Sequence, residues 1–433
     1  MKKKFMKFVS LIVAVSMILP TLCISRPVFA AEKKSKSFNV DGIIYERIDA
    51  EGYDVRVIGI DEEAFTVVDE TTGADDDHAA DDAENSENDE NTGNTGNIDA
   101  GVILVIPGSI NYKDKDYNVT EIGNAAFAFT EIGSVVISEG IVSIGDSAFA
   151  GCAAVEEIKL PDSIKNIGNG AFLYCTKLRN IVIDERNENF TFFEGMLYSA
   201  DKKQVYWASN SVKSKLTLPE GTVKVGSYAF EGNTTVKTVT LPGTVKEICY
   251  GAFMDCSSLK SVKIPSSVSK IDGNPFMYCS KLGTIKVSSS NKNFYASGSG
   301  LLMNRKKTLL ISASAAAGTL VVPSGIKRIA EGAAAGNVSI TAIVFNEELK
   351  TVDAYAFADC VNLKEVHLTT RKVTFNSASD HLDAGNAQKV NIFKNTDYFI
   401  NFKVPYSSDA NSKGSLEEMI RDNSPKGVII TFR

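Results

Sequence analysis

Residues able to carry out acid–base or nucleophilic chemistry are scarce in this chain of 433 residues, which has three histidines, His78, His367 and His381. The best catalytic candidate is Ser379-Asp380-His381, where a carboxylate neighbours a potential general base. Because side chains adjacent in sequence seldom point at one another, an ordinary loop is the better interpretation. The motifs of zinc hydrolases, P-loop proteins, dinucleotide-binding proteins and serine esterases are absent. The sequence therefore predicts neither an enzyme nor a cofactor.

An acidic stretch at 69–99 is the one candidate for a metal site. It has twelve acidic residues and no lysine or arginine, but its spacing lacks the D-x-D-x-D-G order and the closing Glu of a calcium loop. With one isoleucine and no aromatic residue, it cannot bury enough apolar surface to offset its ordering entropy. We therefore expect a disordered loop without a bound metal.

The first thirty residues resemble a cleavable secretory signal. Four lysines precede an apolar run from Phe8 to about Leu22, and Val28-Phe29-Ala30 supplies small residues ahead of Ala31. The run ends at Pro20–Leu22 and is shorter than the roughly 20 residues needed to cross a bilayer. Removing the five basic residues of this segment changes the net charge from −7 to −12, and the twelve acids of 69–99 account for all of it.

An internal repeat organises most of the chain. An Ala-Phe pair, usually preceded by Ile-Gly, recurs with Pro275-Phe276 and Ala334 in register. The marker residues are Phe127, Phe149, Phe172, Phe230, Phe253, Phe276, Ala334 and Phe357. The intervals are 22 or 23 residues except for two of 58, and the pattern repeats after 104 residues. Each marker precedes an L-x-x-L-x-L frame, whose final alternation points two apolar side chains inward. Because one coil cannot bury its own apolar side, the sequence predicts a β-rich, right-handed solenoid of stacked coils, with short helical turns and a cap at each end.

The two 58-residue units each carry 35 extra residues and resemble one another. Both predict a hairpin that extends one coil, with turns around Asp201-Lys202-Lys203 and Arg305-Lys306-Lys307. Trp207, the only tryptophan, lies in the first hairpin, and its counterpart 104 residues later is Ile311. Trp207 could stack on a sugar, but an apolar packing role suits both residues and is the preferred interpretation.

Five cysteines follow the marker residue by three positions: Cys152, Cys175, Cys256, Cys279 and Cys360. In an exported chain, disulfides between stacked coils are one interpretation. Because Asn233, Asn337 and Thr130 hold the same position elsewhere, we prefer buried free thiols.

Two sets of exposed residues are candidates for contact with a partner. One lies between the inward residues of the strands: Lys159, Val182, Thr240, Lys263, Lys286, Val344 and His367. The other lies before the marker and is predicted to form a basic stripe: Lys165, Lys224, Lys246, Lys270, Lys327, Arg328 and Lys350. Such a stripe could attract an acidic glycan, wall polymer or protein. The alternative is that solenoid strands need charged outer faces for solubility.

Written out, the repeat reads IGDSAFAGCAAVEEIKLP at 144–161 and ICYGAFMDCSSLKSVKIP at 248–265. Over about residues 100–370 the chain resembles the BspA-type leucine-rich-repeat surface proteins of bacteria. The resemblance implies export, a leucine-rich-repeat fold and adhesion to host or microbial surfaces, but it transfers no site. The stretch up to VTEIGNAAF is similar to the capping segment of that family. Ala334 departs from the pattern and predicts locally looser packing.

We therefore expect a signal peptide over 1–30, an N-terminal cap over 31–118 that contains the acidic loop, a solenoid over 119–370 and a C-terminal cap over 371–433. In that last cap, Ser415-Leu416-Glu417-Glu418 has the spacing of a capping box and predicts a short helix, followed by a strand at 428–432. The expected function is that of a secreted or surface-associated, non-catalytic binding scaffold. Its partner would be a host or microbial surface protein or glycan, with no nucleic acid and no transmembrane segment in the mature chain. Self-association as a structural envelope protein is the alternative, and a hydrolase is a more distant one.

Overall fold

The computed structural model describes residues 37–49, 53–61, 103–376, 392–396, 400–405, 410–424 and 428–432. The predicted signal peptide, the acidic loop 69–99 with His78, and Ser379-Asp380-His381 lie outside these residues. Within them, no helix has the length and apolar character needed to span a bilayer.

The described residues form β-strands and one helix, α1. The strands of the first part are β1 (Phe38–Val40), β2 (Ile43–Arg47), β3 (Asp54–Ile60), β4 (Ile103–Ile106), β5 (Ser109–Tyr112), β6 (Lys115–Ile122), β7 (Ser134–Ile137), β8 (Ser143–Ile144), β9 (Glu157–Leu160), β10 (Asn166–Ile167) and β11 (Asn180–Ile183). Those of the middle part are β12 (Phe190–Phe193), β13 (Met196–Ser199), β14 (Gln204–Ala208), β15 (Lys215–Thr217), β16 (Lys224–Val225), β17 (Thr238–Thr240), β18 (Glu247–Ile248), β19 (Ser261–Ile264), β20 (Lys270–Ile271) and β21 (Thr284–Val287). The last part has β22 (Phe294–Ala296), β23 (Leu302–Asn304), β24 (Leu309–Ser312), β25 (Gly318–Val321), β26 (Arg328–Ile329), β27 (Ile340–Val344), β28 (Thr351–Val352), β29 (Glu365–His367), β30 (Thr374–Phe375), β31 (Asn401–Val404), α1 (Ala410–Asp422) and β32 (Ile429–Phe432).

The chain is a β-solenoid, as the repeat predicts, in which each regular coil contributes one longer and one shorter parallel strand. The longer strands pair in three sheets, ordered β4-β7-β9-β11, β15-β17-β19-β21 and β25-β27-β29-β31-β32. The shorter strands form a second wall, ordered β6-β8-β10, β14-β16-β18-β20 and β24-β26-β28-β30. Residues one repeat apart are in register, so Val135, Ile158 and Ile181 stack as one buried row. The alternation of apolar and polar residues therefore sets which side of each strand faces the core.

The marker residues form a ladder of aromatic rings inside the solenoid. Phe127, Phe149 and Phe172 stack in sequence, with ring centroids 5.3 and 6.0 Å apart. Phe230, Phe253 and Phe276 repeat the arrangement at 5.0 and 5.8 Å. The marker segments are tight turns rather than helices, and most of them bond to the next coil through the marker N–H, as from Phe149 to the carbonyl of Ala171 at 2.8 Å.

The cysteines follow the same ladder. All six described cysteines are free and buried, which confirms the prediction of buried thiols. Five of them donate their S–H to the marker carbonyl of the preceding coil. These bonds join Cys152 to Phe127 (3.0 Å), Cys175 to Phe149 (3.1 Å), Cys256 to Phe230 (3.1 Å), Cys279 to Phe253 (2.9 Å) and Cys360 to Ala334 (3.2 Å). In the coil of Phe230, Asn233 stands three residues after the marker in place of a cysteine, and its side-chain amide donates to the carbonyl of Ser209 at 2.9 Å. The position therefore selects a small donor, and thiol and amide both satisfy it.

The two predicted hairpins are present, with β13 antiparallel to β14 and β23 antiparallel to β24, and besides joining the strands of the next coil they divide the interior. Alternate residues of β13 and β14 pack into different cores: Leu197 and Trp207 join the first, Tyr198 and Val205 the second. The strand β23 repeats this, with Leu302 in the second core and Met303 in the third. Both faces of these strands are apolar because both are buried. The solenoid thus has three core blocks separated by two partitions.

Trp207 lies in the first partition and is 7% exposed, with its ring edge-on to Phe172 at 6.1 Å. The apolar packing role is confirmed. Where Ala334 interrupts the ladder, Ala334 itself is fully buried and Phe345 packs against Phe357 at 6.0 Å. Phe345 takes the place that Leu368 holds in the next coil, so a larger strand residue compensates for the missing marker ring.

Both ends carry elements outside the repeat. At the N-terminus, β1, β2 and β3 pair antiparallel before β3 joins β6 in parallel. Past residue 370, parallel pairing continues through β31 and β32, and the Phe393 ring stacks on Phe357 at 5.6 Å.

The capping-box prediction is wrong, because α1 begins at Ala410 and Ser415 lies inside it. Leu416 and Ile420, four residues apart on one face of α1, are both buried in the third core. The strand predicted at 428–432 is confirmed as β32.

Candidate binding surface

The lysines and arginine predicted as one basic stripe occupy two neighbouring positions of the short-strand wall. Lys165, Lys246, Lys327 and Lys350 come directly before a short strand, while Lys224, Lys270 and Arg328 are the first residues of theirs. All are exposed except Lys224, which is partly buried. They also lie in three separate sheets of this wall.

Acidic residues neutralise part of this set. The ammonium of Lys270 lies 2.6 Å from Glu247 and 3.0 Å from Asp272, and Lys224 lies 3.9 Å from Glu247 on its other side. The hydrogen bond from Lys270 holds the pKa of Glu247 below its usual range. Arg328 pairs with Asp353 at 2.7 Å. These three basic residues are therefore engaged in ion pairs within the chain.

The same region contains a possible group of metal ligands. Glu247, Cys249 and Asp272 each offer a donor atom within 4.8 Å of the others. The Lys270 ammonium contacts both carboxylates, and burial raises the pKa of the Cys249 thiol to about 11. Because the negative charges already have a partner and the thiol is protonated at neutral pH, we interpret the group as an ion-pair network.

The outward row of the long-strand wall differs from block to block. In the first block, Lys159 is in register with Val136 and Val182. In the second, Lys263 is in register with Thr240 and Lys286.

In the third block, Val344 is in register with His367, which is next to Lys403. His367 Nε2 lies 2.9 Å from Glu365, whose carboxylate also accepts from Lys403 at 2.9 Å. His367 is thus part of a half-buried polar network with Glu365 and Lys403.

The middle block concentrates positive charge on its long-strand wall. The segments 213–217, 236–241, 259–264 and 281–287, which contain β15, β17, β19 and β21, have no Asp or Glu. Besides Lys213, which pairs with Glu194 at 3.3 Å, six exposed lysines on these segments form what we call the lysine face: Lys215, Lys237, Lys260, Lys263, Lys281 and Lys286. Within the described parts of the chain, none of the six forms an ion pair. At a strand spacing of about 4.8 Å, four strands bring these ammonium groups within a patch roughly 15 Å wide.

Of the predicted contact residues, the structure brings Lys263 and Lys286 together with four lysines that sequence reasoning missed. Lys237 and Lys260 belong to adjacent coils, since the Lys260 N–H donates to the Lys237 carbonyl at 2.8 Å. The sequence could have indicated that Lys237 and Lys260 are neighbours, because they are 23 residues apart, which is the repeat length. The absence of acids could have been read from the same four segments.

Comparison with known proteins agrees with this architecture. The family model for the BspA type leucine rich repeat region matches in six copies, over residues 109–210, 202–298 and 313–408. No curated protein matches the chain.

Several solved structures resemble it at low identity. A leucine rich cell surface protein from Faecalibacterium prausnitzii A2-165 is 17% identical with a TM-score of 0.42, covering 93% of this chain and 96% of that one. A leucine-rich repeat protein from Eubacterium ventriosum is 18% identical with a TM-score of 0.42, covering 84% and 95%. The pneumococcal vaccine antigen PcpA is 18% identical with a TM-score of 0.34, covering 93% and 100%. Because the family model matches more than half of the chain, in register with the observed coils, this protein belongs to the BspA-type leucine-rich-repeat family.

Proposed function

We propose that this protein is an exported, non-catalytic scaffold that uses the lysine face to bind an anionic partner, an acidic glycan or an acidic protein on a host or microbial surface. The observation that carries the proposal is the set of six exposed lysines on, or just before, the four adjacent long strands of the middle block, in segments without an acidic residue. Export rests on the signal-like segment 1–30.

The energetics of strand pairing support a role in binding. Lys263 and Lys286 are directly opposite each other on β19 and β21, and like charges in this position destabilise a sheet. Solubility alone does not require this arrangement, because the short-strand wall of the same block places Glu247 between Lys224 and Lys270. The lysine face lacks such neutralisation, so its positive potential is available to steer and hold an anion.

The experiment compares two triple charge reversals. Lys260, Lys263 and Lys286 are changed to Glu in one variant, and Lys165, Lys327 and Lys350 in the other, which is the matched control on the short-strand wall. Purified mature protein is tested on an array of carboxylated and sulfated glycans, their neutral counterparts, and acidic and neutral surface proteins. We expect the first variant to lose binding to acidic members and the control to retain it.

Salt provides a second readout. Binding held by exposed ion pairs weakens as the Debye length falls from about 10 Å at 0.1 M to about 3 Å at 1 M salt. Parent-level binding by the lysine-face variant, or binding that ignores salt, would show that another surface is responsible.

A further inference from the structure

Next to the first partition, the turn that follows β16 holds a buried carboxylate without an ion-pair partner among the described residues. Glu231 is 7% exposed, and neither of its carboxylate oxygens has a hydrogen-bond partner within the described residues. The hydroxyl of Tyr174 faces it and is also buried; the two make no hydrogen bond of normal geometry, but the Tyr174 O–H is a donor beside the carboxylate. Glu231 forms no ion pair within those residues either. An unpaired buried carboxylate is costly, so its presence calls for an explanation.

The internal duplication offers a comparison within the same chain. Tyr174 corresponds to Tyr278, Glu231 to Ala335, and Asp255 to Asp359, each 104 residues later. In the second copy, where Ala335 removes the acid, the Tyr278 hydroxyl donates to Asp359 at 2.8 Å. In the first copy Tyr174 makes no such bond. The fold therefore does not need Glu231 at this place, and in the first copy the tyrosine hydroxyl faces Glu231 instead.

Glu231 and Tyr174 line a small cleft beside the only tryptophan. The other residues of the wall include Trp207, Thr176, Asn210 and Asn233, and the water-sized void measures about 10 Å³, enough for one water-sized group. Gly232 forms one side of the cleft and leaves space there because it has no Cβ. Its φ of 67° lies in the left-handed region, which favours glycine.

The amides at the cleft are already engaged. Asn233 donates to the Ser209 carbonyl, and its oxygen accepts two backbone N–H groups. The oxygen of Asn210 accepts from Thr234. The Tyr174 O–H is therefore the donor beside the Glu231 carboxylate, and the remaining acceptor sites of the two groups are unfilled, with the Trp207 ring beside them.

We propose that this cleft binds one primary ammonium group, held by the Glu231 carboxylate, the Tyr174 hydroxyl and the Trp207 ring. An ammonium has the size of water, supplies N–H donors to both oxygens and neutralises the carboxylate, which a water molecule cannot do. Its positive charge also interacts favourably with an aromatic ring. The group belongs either to a free small amine or to a lysine side chain of a bound polypeptide. This site is independent of the lysine face.

Binding depends on pH because the carboxylate must be ionised. Burial, and then the negative charge of Asp255, raise the pKa of Glu231 well above its usual range. The groups that interact with it are Tyr174, Tyr228 and Asp255, and none of them supplies a positive charge. Burial raises the pKa of Asp255 to about 6. An amine should therefore bind more tightly at pH 8 than at pH 5.

The fluorescence of Trp207 reports occupancy directly, since the chain has no other tryptophan. Mature protein at pH 8 is titrated with methylammonium, potassium and tetramethylammonium chloride at equal ionic strength. We expect a saturable change with methylammonium alone. Glu231→Gln should weaken it roughly tenfold or more, through loss of bonds to a charged acceptor. The exposed acid Glu220 supplies the matched control, and Glu220→Gln should leave the change unaltered.

Further arms separate the possible results. Glu231→Ala reproduces the residue found at 335, so a folded variant without the acid is available if Glu231→Gln does not fold. A response to Nα-acetyl-lysine amide identifies a lysine side chain as the source, and a response to methylammonium without it identifies a free amine. The proposal is overturned if no saturable change occurs, if potassium or tetramethylammonium acts equally, or if Glu231→Gln binds like the parent. Charge reversal of the lysine face should not affect this titration, so the two proposals fail separately.

Discussion

Replacing Phe253 by alanine tests whether the three core blocks unfold separately. The Phe253 ring is fully buried and stacks between Phe230 at 5.0 Å and Phe276 at 5.8 Å, in the middle of the second block. Truncation of a buried phenylalanine costs about 3–5 kcal/mol, and stacked neighbours on both sides favour the upper half of that range. We expect a loss of about 4 kcal/mol of the free energy of unfolding.

Hydrogen exchange of the backbone amides locates this loss along the chain. Each 1.4 kcal/mol corresponds to a factor of ten, so protection in β18 and β19 should fall by about a thousandfold. In a solenoid each coil contacts mainly its neighbours, and the first partition separates the second core from the first. Protection in β7 and β9 should therefore change far less.

The matched control is Phe193→Ala. Phe193 is the last residue of β12, which pairs with the first partition strand β13, and its side chain is 40% exposed. This substitution should cost less than about 1 kcal/mol. An equal loss of protection in β7, β9, β18 and β19 would refute the division into blocks. A loss below tenfold at β18 and β19 would refute the role of the ring ladder.

Three further predictions concern buried polar groups. Relative to the parent, Glu231→Gln should stabilise the protein increasingly as the pH rises. The raised pKa of Glu231 means that the folded chain keeps a proton that the unfolded chain releases above about pH 4.5. The free energy of unfolding of the parent therefore falls by up to about 1.4 kcal/mol per pH unit. Urea unfolding at pH 5, 6.5 and 8 measures this, and a difference independent of pH would contradict it. Asn187→Ala should cost about 2–4 kcal/mol in the same assay, because its amide donates to Pro161 and Ile164 carbonyls at 2.9 and 3.0 Å and its oxygen accepts two N–H groups; a cost below about 1 kcal/mol would contradict it. A thiol titration of the mature chain should find six reactive groups in denaturant and almost none in the folded state, and fewer than six in denaturant would indicate a disulfide.

Repetition made the coil predictable. A marker every 22 or 23 residues followed by alternating apolar residues admits one arrangement that buries every apolar side, so the stacked strands and the thiol positions follow from sequence. Local signals did less well where packing competes with them. The capping-box spacing at Ser415 failed, since α1 begins at Ala410 and packs Leu416 and Ile420 into the third core.

The candidate sites depended more on tertiary structure. Lys263 and Lys286 were predicted as outward residues, but their union with Lys237 and Lys260 needs the register of four strands. The sequence also does not show which lysines form ion pairs with residues of neighbouring coils. Lys270 is paired with Glu247 in the preceding coil, whereas Lys263 is unpaired among the described residues.

By itself, the sequence determined the class of fold, the buried ladder and the inward or outward direction of most strand residues, because these follow from a period that every coil repeats. Only the tertiary structure decided that the hairpins cross the interior as partitions, and that Glu231 is buried facing Tyr174 without a positive charge beside it. The physical reason is that these features join residues from coils far apart in the chain, and their energies depend on burial and on neighbours that no local pattern specifies.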